Sequence, residues 1–328
     1  MSRRSPLAAA VGLLVVLAPA GVVGADPPGP TDFETTVLGI EPATPSIQVA
    51  IIGGDSFVQL TVVRGTEVLV PGYGGEPYVR FNSDGTVEEN RQSPTWARNQ
   101  DRYGDAPSEA ADPAGAPEWS LVATSGTYAW HDHRAHWMSR QSPPGFERGD
   151  RIQDGTIALQ VNGAPVTISV TTTWLDKPSH VAMAAGAIVA GFALMIVLSM
   201  RRRVAWMLVM AGAAAAGIGW WQVNSVPADT APSMMWWLLP AVGGAFGVIA
   251  VVLGRSLASY ALALVGSIEL ALWVFMRRQG FTKAFLPTDA PFWLDRGVSS
   301  AAGVISVIVI VTSAVALVRM EVPDPSRV

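Results

Sequence analysis

Five apolar runs in the C-terminal half constrain this chain more than any other feature. They occupy residues 181–200, 204–223, 234–253, 257–276 and 300–317, each 18 to 20 residues long. Such a run matches the hydrocarbon thickness of a bilayer, and in lipid a helix is the single-segment structure that satisfies its own backbone. A transmembrane helical domain of about five helices is therefore expected over 179–320, followed by a tail at 321–328. The preceding segment is written for water. Residues 26–180 hold 20 acidic and 10 basic side chains, a formal charge of 10 − 20 = −10, whereas the chain from Val181 onward holds 6 and 10. An acidic surface without clustered Lys and Arg argues against nucleic acid as a partner. The chain has no cysteine, which removes disulfides, thiolate metal sites and thiol nucleophiles.

The N-terminus reads as a secretory signal over 1–25: Arg3 and Arg4, an apolar stretch, then Val23-Gly24-Ala25 before a cut ahead of Asp26. Arg201-Arg202-Arg203 closes the first apolar run and marks its cytoplasmic end. Both signals predict a multi-pass protein of the cell membrane with an extracytoplasmic N-terminal domain and a cytoplasmic C-terminus. Arg277, Arg278 and Lys283 run against this reading, because alternation of five crossings puts them outside.

Residues 26–178 carry strand signals. β-Branched runs at 47–52 and 57–63 flank Gly53-Gly54-Asp55, and runs at 156–161 and 166–173 flank Asn162-Gly163; each reads as a hairpin. Further strands are expected at 67–70, 78–81, 120–123 and 127–133, with a loop at 104–118. Seven to nine short strands divided by turns predict an all-β domain, a β-sandwich.

The chemistry concentrates in Trp130-His131-Asp132-His133-Arg134-Ala135-His136-Trp137-Met138. Three of the four histidines of the chain fall in these nine residues. On a strand, positions i and i+2 share a face, so His131 and His133 can converge on one ion, with His136 returning from the following turn and Met138 closing the group. Imidazoles suit copper and zinc, and an added thioether favours copper. Asp132 and Trp130 are candidates for the surrounding layer, Asp132 as an acceptor that orients an imidazole. The alternative reading is structural: histidines at a sandwich edge, with Asp132, His133 and Arg134 in an ion network.

Gly126-Thr127-Tyr128-Ala129-Trp130-His131-Asp132-His133 resembles the His-bearing strand of cupredoxin domains and multicopper oxidases. That resemblance implies a cupredoxin-like sandwich with a copper site. The blue-copper cysteine and the other His-rich segments of an oxidase are missing, so oxidase and electron-transfer chemistry are not implied. The nine-residue signature, with Gly72-Tyr73-Gly74-Gly75-Glu76-Pro77-Tyr78 and Asp101-Arg102-Tyr103-Gly104, is also similar to a bacterial, mainly actinobacterial, set of membrane proteins. Members have a signal peptide, a β-domain and C-terminal helices; the similarity implies architecture and location, not an activity.

Elsewhere, Gly72 to Tyr78 has the composition of a turn, with Tyr73, Glu76 and Tyr78 as site-lining alternatives, and Asp101-Arg102 reads as a surface ion pair. Glu269 is the one acidic residue inside an apolar run, an expensive placement that makes it a functional candidate or a partner of Arg277 or Arg278. The apolar, Pro-interrupted segment 281–295 suits either the membrane surface or a dock for the β-domain. No nucleophile triad, paired carboxylates or phosphate loop is visible, so a non-enzyme is expected. A zinc hydrolase built on the three histidines is the enzyme alternative. The expected function is extracytoplasmic metal binding, for copper handling with zinc as the alternative ion. Its partners would be the bilayer and another envelope or copper-handling protein. The alternative function is a non-enzymatic envelope scaffold.

Overall fold

The computed structural model describes residues 27–100, 102–103, 115–199 and 204–321. The signal segment, Asp101, most of the 104–118 loop, Arg201 to Arg203 and most of the tail lie outside the described residues. Strands pair antiparallel throughout. One sheet has the order β1 (Phe33–Glu41), β10 (Ala164–Trp174), β9 (Arg151–Val161), β4 (Val68–Pro71), β5 (Pro77–Phe81), β6 (Val87–Asn90) and β7 (Trp119–Ala123). A second holds β2 (Ile47–Ile52), β3 (Phe57–Val62) and β8 (Thr127–Trp130) in that order.

Two-residue alternation builds the core between the sheets. Ile157, Leu159 and Val161 of β9 and Val166, Ile168 and Val170 of β10 point inward. They share one cluster with Val58, Leu60 and Val62 of β3 and with Tyr128 and Trp130 of β8. Both expected hairpins form. β2 and β3 close with Ile52 opposite Phe57, and Asn162 and Gly163, at φ of 49° and 78°, make the tight turn between β9 and β10.

Three differences from the sequence reading matter. Two strands were not expected: β1, an edge strand bonded to β10 alone, and β6, whose Glu88 is neutralised by Arg80 and whose Glu89 turns inward. The described residues therefore hold ten strands, not seven to nine. A short helix, α1 (Pro94–Arg98), is capped by the Ser93 hydroxyl. The strand expected to reach His133 stops at Trp130.

The five long helices are α2 (Val181–Ser199), α3 (Ala205–Asn224), α4 (Met235–Val252), α5 (Leu257–Met276) and α6 (Phe292–Glu321). Each is long and apolar enough to cross a membrane, the make-up of a multi-pass membrane protein. Neighbours in sequence from α3 to α6 pack in turn, and α6 also packs on α2 and α3. Small residues set the closest seam: a Cβ placed on Gly219 of α3 would stand 1.8 Å from the Trp236 carbonyl oxygen of α4. Helix α6 starts at Phe292, eight residues before the apolar run at 300. The polar pair that hides this start, Asp295 and Arg296, is buried.

The β-domain is seated on the loops that follow α3 and α5. Thr31 and Phe285 exchange both backbone bonds, at 3.1 and 2.8 Å. Asp32 accepts from Lys283 Nζ at 2.9 Å and from the Ala284 N–H at 3.1 Å. Burial pushes the Asp32 carboxyl up, but Lys283, the Ala284 N–H and Arg148 outweigh it and hold the group below the ordinary range. From the 3₁₀ turn Ala228–Thr230 between α3 and α4, Asp229 accepts the Ala129 N–H of β8 at 2.8 Å. Segment 281–295 thus contributes the dock, and both loops lie on the domain side of the bundle, as alternation requires.

Candidate functional site

Residues 131–138 form a loop folded back over the sandwich rather than a strand extension, because Asp132 captures its neighbours. Its carboxylate accepts Trp130 Nε1 at 3.0 Å, the Arg134 N–H at 3.0 Å, and Arg134 Nε and Nη2 at 2.8 and 2.7 Å. Such a bidentate clamp fixes the turn. Asp132 is therefore the turn's internal anchor for Arg134 and Trp130. The loop sits against β9 where Gly155 leaves room: a Cβ there would lie 2.0 Å from the Arg134 carbonyl oxygen. Thr35 of β1 ties it from the other side, donating to the Ala135 carbonyl at 2.6 Å.

This fold brings the three imidazoles together, with His136 in the middle. Ring centroids are 5.1 Å apart for His133 and His136 and 6.2 Å for His131 and His136. His131 is buried and stacked on Phe57 at 4.1 Å. His133 is half-buried and stacked on Tyr73 at 5.8 Å. His136 is fully buried, and its Nε2 lies 2.7 Å from the Arg102 carbonyl oxygen. A carbonyl can only accept, so Nε2 carries the proton and Nδ1 carries the lone pair. That Nδ1 is buried and has no hydrogen-bond partner among the described residues. Burial first, then the charges of Arg102, His133 and His131, drive the His136 pKa well down, so the ring is neutral at physiological pH.

Met138 shares an open depression with His133, Tyr73 and Arg134, while His131 lines a cavity of about 550 Å³ between the domain and the helix loops. His131 and His133 therefore flank His136, and Met138 lies beside His133 in the open depression. Among the described residues no three His, Asp or Glu side chains stand in metal-holding geometry.

Several supports of the site carried no local sequence signal. Arg102 donates through its guanidinium to the buried Asp55 and presents its own backbone carbonyl to His136; Asp101, its expected partner, lies outside the described residues. Burial pushes the Asp55 carboxyl up despite Arg102. Tyr73 accepts the His133 N–H at 2.8 Å and donates to Asn99 at 2.6 Å; burial, then Asp132, raise its phenol. Glu76 proves to be structural: its carboxylate accepts from Ser93, from the Thr95 hydroxyl and N–H, and from the Gly74 N–H. Tyr78 is buried in the core and accepts from Asn99.

Glu269 is buried on α5 facing α4, where a Cβ on Gly243 would stand 3.7 Å from its own. No ion pair reaches it among the described residues. Arg277 bonds Gln222 and Asp295, and Arg278 bonds the Phe275 carbonyl.

No protein-family model, curated protein or solved structure matches this chain.

Proposed function

We propose that this is a membrane-anchored metal-binding protein of the extracytoplasmic face. In particular, we propose that it handles copper, by sequestration, delivery or sensing, through His131, His133, His136 and Met138. The observation that carries the reading is His136. One ring nitrogen donates to a backbone carbonyl while the other holds a buried lone pair with no hydrogen-bond partner among the described residues. Metal-binding histidines are oriented by such a bond on the far nitrogen. Imidazoles sharing an ion at about 2.0–2.1 Å from each nitrogen in a tetrahedral site have ring centroids about 5 Å apart, the spacing of His133 and His136. Ligation would draw the His131 or His133 ring toward Nδ1 of His136, with the Met138 thioether as the further ligand of a copper set.

The extracytoplasmic placement rests on Arg201-Arg202-Arg203, which follow α2 in the sequence. In the basic loop that runs against it, Lys283 pairs with Asp32 of the β-domain and Arg277 with Asp295.

A second reading has its own support. Both outer imidazoles are stacked on aromatic rings, as expected of a scaffold whose loop is simply packed. The full chain in detergent, titrated with Cu(I), Cu(II) and Zn(II), separates the two. Metal handling predicts one ion per chain, lost in His136→Ala, with Met138→Leu weakening Cu(I) and sparing Zn(II). Absence of binding at micromolar metal, or stoichiometry unchanged in the variants, leaves the scaffold.

A further inference from the structure

Between the domain-side ends of α3, α5 and α6, roofed by residues 27–30, lies a second cavity of about 180 Å³. None of the four histidine-cluster residues lines it. Its walls contain two buried guanidinium groups and one carboxylate. Arg277 donates to Gln222 and Asp295 and lies over the Trp273 ring at 4.8 Å, with its side chain only 10% exposed. Arg296, 6% exposed, donates to three backbone carbonyls, those of Gly280, Lys283 and Ala284, at 2.8 to 3.0 Å. Carbonyls accept hydrogen bonds but bring no charge, and Arg296 has no ion pair among the described residues. Asp295 compensates one cation, so one positive charge is left over.

The hydrogen-bond account shows a deficit of the same sign. Arg277 Nε and Ser299 Oγ are both buried without a hydrogen-bond partner among the described residues, and both residues line this cavity. Buried donors are rarely left unmet, and a buried cation without a counter-charge is costly. Water would meet the donors but not the charge. An anion meets both.

We propose that this cavity binds a phosphate-type oxyanion, held by Arg277 Nε, the Ser299 hydroxyl and the field of Arg296. Trp236 and Leu286 also line it, at the domain-side end of the apolar helices, where the phosphate comes either from solution or from the headgroup of an anionic lipid. The proposal is independent of metal binding.

The test uses the full chain. In detergent, its thermal midpoint is followed against inorganic phosphate with ionic strength held constant by chloride. In nanodiscs, phosphatidylcholine alone is compared with added phosphatidylglycerol, and native mass spectrometry counts retained lipid. A saturable rise with phosphate identifies a free anion, and selective retention of phosphatidylglycerol identifies a headgroup. In either case Ser299→Ala, which removes one donor and keeps both guanidinium groups, should weaken binding about tenfold. Arg296→Met should abolish it; should that variant fail to fold, Ser299→Ala alone decides. Neither effect in wild type, or equal affinity in wild type and Ser299→Ala, overturns the proposal.

Discussion

Two buried glutamates show how context decides what one residue type does. Glu76 is held below the ordinary carboxyl range: burial works against it, but bonds from Thr95 and Ser93 outweigh that. Glu76→Ala strands the Ser93 and Thr95 donors and should cost about 2–3 kcal/mol, measurable by chemical denaturation of the full chain. Glu89 goes the other way. Burial raises its pKa despite bonds from Tyr128 and Trp96 and the charge of Arg91. The folded state therefore binds its proton more readily than the unfolded chain. Stability is fullest below the unfolded value of about 4.3 and declines as pH rises through the folded value. Glu89→Gln should flatten that decline, seen in unfolding midpoints taken from pH 4 to 8; superimposable wild-type and variant profiles would refute the assignment. Neither role was legible in the sequence, since both partners of Glu76 lie 17 and 19 residues away and Tyr128 lies 39 residues from Glu89.

At the level of elements, local patterns read well and ends read poorly. Hairpins β2–β3 and β9–β10 announced themselves because their turns need Gly and Asn and their strands alternate. Four apolar helices did so through length alone. The failures share a cause: charged residues whose partners are distant. Helix α6 was cut short because Asp295 and Arg296 read as loop, although Arg277, 18 residues upstream, pairs with the first. β8 was overextended because the capture of Arg134 by Asp132 has no periodicity. The histidine cluster was visible as a composition; that His136 is its centre required Arg102 to be placed. The α3–α4 seam offers a controlled test. Gly219→Ala drives a methyl into the Trp236 carbonyl and should destabilise the bundle by about 1–3 kcal/mol. Gly217→Ala, with nothing within 4 Å, should be neutral or gain up to about 1 kcal/mol from helix propensity. Denaturing-detergent titration of both variants checks the contrast.

For the whole molecule, the decisive relation is the seating of the β-domain on the bundle, which hydropathy could only leave as one of two placements for segment 281–295. The chain has no cysteine of its own, so a pair introduced by Thr31→Cys and Phe285→Cys reports this contact cleanly. Residues exchanging both backbone bonds have Cα atoms about 5.5 Å apart, within disulfide range. Mild oxidation should cross-link the pair nearly completely and shift its gel mobility. Because the Asp32 carboxyl is depressed, its pairing with Lys283 persists above the unfolded carboxyl value of about 3.9 and is lost as pH falls through the lower folded value. Asp32→Asn should bring that loosening to neutral pH and raise protease sensitivity of the 175–180 connection.

The same contact sets a timetable for biogenesis. Asp32 and its partner Ala284 are 252 residues apart in the chain. At about 5–20 residues per second, the ribosome needs about 13–50 s to travel between them. The β-domain has ample time to fold on its own before its seat exists, and the last hairpin of the membrane block must then close beneath an already finished domain. Truncation after α5 would leave the domain held by the α3–α4 loop alone, so quality control has a late point at which to recognise an incomplete chain.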